Sequence, residues 1–122
     1  GKYERRCCME KEIKVLKAVA DPTRLRITCL LSGQKSLCVC EIINAMKMKQ
    51  SAISKALKVL KEAGVILDEK KAQWVYYSLN REKGSPGYKI LESIMSGAVK
   101  NPVIASDASA LRQRLKKKCK GE

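Results

Sequence analysis

Two short helical stretches follow one another within residues 36–63, and that arrangement limits the fold more than any other feature of the chain. The first carries Ile42, Ile43 and Met46 at helical spacing; a break near Met48 separates it from a second, which runs over about 50–63. Two short helices joined by a tight break form a helix-turn-helix. Gly64 stops the second one. Apolar segments at 65–67 and 74–79 then bracket a polar, lysine-rich tip at 68–73, the pattern of a two-stranded wing.

The flanks supply packing elements. Ile13, Leu16 and Ala20, with Val15 and Val19 between them, give helical spacing over about 9–19, after a basic N-terminal arm at 1–8 that contains Lys2, Arg5 and Arg6. Asp21-Pro22 starts a second helix, with Asp as N-cap and Pro in the first turn. Leu25, Ile27, Leu30 and Leu31 form its buried face, and Ser32-Gly33 ends it. Downstream, Pro86 can open a fifth helix reaching about Ser96, with Ile90, Leu91, Ile94 and Met95 on one face. Pro102 separates it from the rest of a basic C-terminal tail, 98–122, whose part from 108 to 118 has helical character. The expectation is a single domain over 1–122, mostly α with a small β-hairpin: a winged helix-turn-helix acting as a homodimer.

Charge narrows the partner. Lys and Arg number 26 against 12 Asp and Glu, a net charge of +14 that suits a phosphate-rich polymer better than an acidic small substrate. No apolar run approaches the ~18 residues needed to span a bilayer, and no secretory signal opens the chain. A soluble, cytoplasmic protein without membrane contact is expected, and Gly1 in place of Met suggests either an added remnant or a trimmed start. Exposed at the start of the fourth helix, Gln50, Ser51, Ser54 and Lys55 are the candidates to read base edges of double-stranded DNA. Lys47, Lys49, Lys58 and Lys61 are placed to neutralise phosphate, and Lys70 and Lys71 to grip the backbone or minor groove from the wing. Each could equally be an ordinary solvated side chain.

Six cysteines could frame disulfides, but pairing at 7/8 and at 38/40 suits reduced, ligand-binding thiols better. Cys38 and Cys40 lie in the stretch 36–40 that opens the third helix, where the positive helix end favours thiolate, the form that binds soft metals and metalloids. Side chains two apart diverge in a regular helix, so this pair converges only if Cys38 precedes or begins the first turn. Cys29 falls on the apolar face of the second helix and reads as core packing. Cys119, among tail lysines, reads as an idle thiol. No histidine is present, and with no Gly-rich phosphate loop or paired carboxylates an enzyme is not expected.

Taken in order and spacing, five segments resemble the ArsR/SmtB family of winged-helix repressors across nearly the whole chain. They are Ala20-Asp21-Pro22-Thr23-Arg24-Leu25-Arg26-Ile27, Leu37-Cys38-Val39-Cys40-Glu41, Gln50-Ser51-Ala52-Ile53-Ser54, Leu57-Lys58-Val59-Leu60-Lys61-Glu62-Ala63-Gly64-Val65 and Trp74-Val75-Tyr76-Tyr77-Ser78-Leu79. The resemblance implies a homodimeric repressor released from operator DNA by an inducer. Its first and fifth helices would form the dimer interface, and its fourth would enter the major groove.

In that family the Leu-Cys-Val-Cys-acid pattern supplies thiolates to arsenite or antimonite, or to cadmium or lead in relatives that add cysteines on the N-terminal arm. The arsenite-responsive pattern carries a third cysteine where this chain has Ile43, so Cys7 or Cys8 is the expected third donor. Recruiting both would give four sulfurs and suit cadmium or lead. Without histidine, the family's zinc and nickel sites on the fifth helix cannot be assembled. The remaining alternatives are a thiol-redox or persulfide switch through Cys29 or Cys119, and a constitutive DNA binder; the fifth helix lacks the cysteine that persulfide sensors pair with the one on the second.

Overall fold

Asp21 is extended (φ −155°, ψ 136°), and its carboxylate accepts a hydrogen bond from the Arg24 N–H at 3.1 Å, which sets the start of the helix that follows at Pro22. The computed structural model describes the backbone of residues 2–82 and 87–121, and side chains for 10–82 and 87–116. The described elements run α1 (Lys2–Val19), α2 (Pro22–Ser32), β1 (Leu37–Cys38), α3 (Val39–Met46), α4 (Gln50–Glu62), β2 (Ile66–Lys71), β3 (Trp74–Leu79), α5 (Tyr88–Ala98) and α6 (Pro102–Gly121).

One core serves them all: Ile27 and Leu31 of α2, Ile42 of α3, Ile53 and Leu60 of α4, Ile66 of β2 and Leu111 of α6 are buried together. At the end of α4, Gly64 takes a left-handed conformation (φ 80°). The N–H of Val65 reaches back to the Leu60 carbonyl at 3.0 Å, and that of Gly64 to Lys61 at 3.0 Å. This Schellman closure turns the chain from α4 directly into the wing.

The wing has a third strand that sequence periodicity does not show. Strand order is β1-β3-β2, all antiparallel, with Leu37 opposite Tyr77 and Cys38 opposite Tyr76. Two residues are too few to carry an alternating pattern, so the expected two-stranded wing becomes a three-stranded sheet. Between β2 and β3 the register pairs Lys71 with Trp74 and closes a two-residue turn, Ala72-Gln73. Ala72 has φ 57° there, a positive value at the first central position.

Two helices differ from expectation at their ends. α1 begins at Lys2, so helical backbone takes in the stretch expected to be an arm; Glu4, Arg5, Arg6 and Met9 are good helix formers and no Gly or Pro interrupts them. Pro86, the expected start of the fifth helix, lies outside the described residues, and α5 is described from Tyr88.

The basic tail is largely a sixth helix and not a segment cut off by Pro102. Asn101 Oδ1 accepts from the Val103 N–H at 2.9 Å and its carbonyl accepts from Ala105 at 2.9 Å. Asn101 is therefore an N-cap and Pro102 the first helical residue, where its missing N–H costs nothing. α6 packs against α2 and α3 through Ile104, Asp107 and Leu111. No helix among the described residues is long and apolar enough to cross a membrane.

Candidate nucleic-acid interface and thiol pair

α4 divides cleanly by face. Ile53, Ala56, Leu57 and Leu60 are buried, while Gln50, Ser51, Ser54, Lys55 and Lys58 are exposed. The exposed set recurs at helical spacing: Gln50, Ser51, Ser54 and Lys55 present an amide, two hydroxyls and an ammonium group at and just beyond the first turn, the end by which reader helices meet base edges, and Lys58 follows in the third turn.

The turn before α4 is held from two sides. Lys47 adopts a left-handed conformation (φ 55°, ψ 45°) and its N–H closes α3 on the Ile43 carbonyl at 2.8 Å. Its side chain and that of Lys49 are exposed. From α2, Arg26 donates Nη2 to the Met46 carbonyl at 3.3 Å and Nη1 to Met48 Sδ at 3.5 Å. The same guanidinium grips Asp107 of α6 through two bonds, Nε to Oδ2 at 2.9 Å and Nη2 to Oδ1 at 2.8 Å. A cation thus caps the C-terminal end of α3, and a buried carboxylate from α6 holds it there. Periodicity carries no signal for a pair 81 residues apart.

The expected phosphate contacts are not equivalent. Lys61 Nζ lies 2.8 Å from Asp68 Oδ2 and ties the last turn of α4 to β2, so it is engaged as a brace within the chain. Lys70 and Lys71 are exposed at the wing tip, with Lys71 Nζ 5.8 Å from the centroid of the Tyr76 ring.

Cys38 and Cys40 sit with their Sγ atoms 3.1 Å apart. Cys38 is the extended N-cap residue of α3 (φ −86°, ψ 165°), and Cys40 stands in the first turn. That break in helical regularity lets side chains two apart converge. The Cys38 N–H donates to Glu41 Oε1 at 3.0 Å, and the Glu41 N–H faces the Cys38 sulfur, so a thiol occupies the hydroxyl's place in a capping box. Cys38 is buried and Cys40 exposed. Burial pushes the Cys38 thiol up to about 11, with its hydrogen bond to Cys40 acting in the same direction.

The donor set fits a soft centre: two sulfurs 3.1 Å apart subtend about 85° at an atom about 2.3 Å from each, whereas a tetrahedral ion would spread them to about 3.8 Å. Trigonal-pyramidal arsenic and antimony take the narrower angle. Among the described residues no group of three or more possible ligands forms. Cys7 and Cys8 fall within α1, but their side chains lie outside the described ones, as does that of Cys119 on α6. Cys29 is buried in the core, and burial alone pushes its thiol up to about 11.

The family model described as "Bacterial regulatory protein, arsR family" matches residues 21–67. An arsenic resistance transcriptional regulator of Pseudomonas putida is 47% identical over 68 residues, 56% of this chain and 53% of that protein, so the match spans about half of its length. The arsenical resistance operon repressor of Escherichia coli is 40% identical over 80 residues, 66% of this chain and 68% of the repressor. Among solved structures, reduced HlyU of Vibrio cholerae superposes with a TM-score of 0.63 at 28% identity, covering 80% of this chain and 94% of that one.

Proposed function

The chain belongs to the bacterial arsR family of regulatory proteins, whose members are DNA-binding transcriptional regulators, and we propose that it is a repressor that leaves its operator when arsenite or antimonite is captured by Cys38 and Cys40. The observation that carries this reading is the 3.1 Å thiol pair at the N-cap of α3. Its separation suits a pyramidal metalloid better than tetrahedral cadmium. A third sulfur comes from outside the pair, and Cys7 or Cys8 on α1 is the donor we propose.

DNA is met by the exposed face of α4, with Gln50, Ser51, Ser54 and Lys55 at base edges and Lys47, Lys49 and Lys58 near phosphates. The working unit is a homodimer: α1 leaves Ile13 (41%) and Leu16 (39%) exposed, and α5 leaves Ile90 (41%) and Ile94 (37%), two apolar stripes that a second copy would cover.

Release follows from where the thiols stand. Cys38 belongs at once to β1, which pairs with the wing strand β3, and to the cap of α3, which packs against α4. The pair already has the spacing a metalloid takes, so the pull comes from the third sulfur: tethering the pair to α1 shifts the start of α3 and strand β1 together. Both DNA-contacting parts then move from the DNA-competent arrangement. Coupling of ~1–3 kcal/mol weakens DNA binding about 5- to 150-fold.

The test is operator binding by fluorescence anisotropy under reducing conditions, with arsenite and cadmium titrated separately into the parent protein, Cys38→Ser/Cys40→Ser and Cys7→Ser/Cys8→Ser. Arsenite should release the parent and neither variant. Release by cadmium alone would replace the metalloid with a four-sulfur cation site. Unchanged affinity with both ligands would end the inducer reading and leave a plain DNA binder.

A further inference from the structure

The wing has one face that the core does not use. By register, Leu67, Glu69, Lys71, Trp74, Tyr76 and Ser78 share it, while Ile66 and Leu79, both buried, belong to the opposite face. Trp74 stands at the far end of this outward face, beside the turn and opposite Lys71, and is 49% exposed. An indole is among the side chains that gain most from leaving water, so half-exposure at a hairpin tip leaves a large apolar surface uncovered. A cross-strand partner explains part of its placement, but the Lys71 ammonium leans over Tyr76 at 5.8 Å and the indole stays half exposed.

The surroundings say what would cover it. Lys71 stands opposite the indole on the same face and Lys70, paired with Val75, on the other face of the same tip, so two cations flank Trp74 on a chain of net charge +14. The tip is a two-residue turn with Ala72 held at φ 57°, so it presents its side chains in a fixed place. The base of the same hairpin is tied to α4 by the 2.8 Å bridge between Lys61 and Asp68, so a wing that follows α4 onto DNA carries Trp74 with it. Duplex DNA offers phosphates for the lysines, deoxyribose edges for the apolar ring, and N3 and O2 acceptors in the minor groove for the Nε1–H donor.

We infer that Trp74 is a DNA-contacting residue, seating its indole against the sugar edge of the minor groove while Lys70 and Lys71 hold the flanking phosphates. This rests on the DNA-binding reading above and adds an apolar contact to an interface otherwise built from amides, hydroxyls and ammonium groups. It also predicts a binding component that salt does not screen.

Trp74 is the single tryptophan of the chain, so intrinsic fluorescence reports on it in the unmodified protein. A labelled duplex, selected by the protein from a random-sequence pool, is followed by anisotropy while tryptophan emission and acrylamide quenching are read in the same titration. Emission should change, and acrylamide access should fall, in step with the anisotropy. Trp74→Ala should weaken binding about tenfold (~1.4 kcal/mol) and leave the slope of log affinity against log salt unchanged, whereas Lys71→Ala should lower that slope. Saturated anisotropy with unaltered emission and quenching would overturn the inference and leave DNA binding by α4 standing. Emission that depends on protein concentration without DNA would overturn it by placing the indole between copies of the chain. No anisotropy rise at all would remove the DNA-binding reading itself.

Discussion

Replacing Asp107 by Asn should destabilise the protein by about 2–3 kcal/mol. The figure comes from the geometry of the Arg26 pair: two hydrogen bonds of 2.9 and 2.8 Å, with the carboxylate 5% and the guanidinium 23% exposed. Removing one partner of a fully buried pair costs ~3–5 kcal/mol, and partial exposure of Arg26 places this one just below that range. Asn keeps the shape and one acceptor but strands a cation beside the Met46 carbonyl. At ~3–4 °C per kcal/mol for a domain of this size, the melting temperature should fall by about 6–12 °C. Urea unfolding followed by circular dichroism, at matched protein concentration because a dimer links stability to mass action, measures it. The double variant Arg26→Met/Asp107→Leu should recover most of the loss, since an apolar pair of similar size carries no desolvation cost. A loss below about 1 kcal/mol for Asp107→Asn would mean the pair behaves as a screened surface contact and that α6 is not fastened to the helix-turn-helix through it.

Two further outcomes follow from burial and exposure. Cys29 and Cys38, both raised to about 11, stay protonated in the fold while unfolded thiols ionise near 9. Their contribution, of order 2 kcal/mol each, is complete below about pH 9 and is lost as pH rises toward 11. Thermal melts across that window should therefore fall more steeply for the parent than for Cys29→Ala/Cys38→Ala, and parallel curves would refute the assignment. Ile94→Glu places a charge in the apolar stripe of α5 and should shift sedimentation toward monomer without loss of helix content; a variant that stays dimeric would move the interface elsewhere.

How much of this was legible in the sequence depends on the range of the interaction that decides each part. Asp21-Pro22, the face of α4 and the Gly64 stop are written within a turn or two, and the structure follows them closely. The site was legible to the extent that Cys38 and Cys40 meet because the helix starts at Val39, an event set by four neighbouring residues. β1 escaped notice because two residues cannot show a period, and its existence depends on Tyr76 and Tyr77, far along the chain. Asn101-Pro102 reads equally as a break or as a cap and first turn; only the burial of Ile104 and Leu111 decides for the helix. The Lys61 bridge was not legible because nothing local announces Asp68 as its partner.

Cys38 is strand, helix cap and thiol in one residue, and on the function proposed above this separates two properties that are usually entangled. The path from the pair to the DNA-facing parts is built into backbone pairing and capping that no change of inducer needs to disturb. On the proposed function, the element taken up depends instead on how many further sulfurs reach the pair, and the proposed donors Cys7 and Cys8 belong to another helix. On that proposed reading, moving a single cysteine on a peripheral helix would change the element taken up and leave the route to the DNA-facing parts as it is.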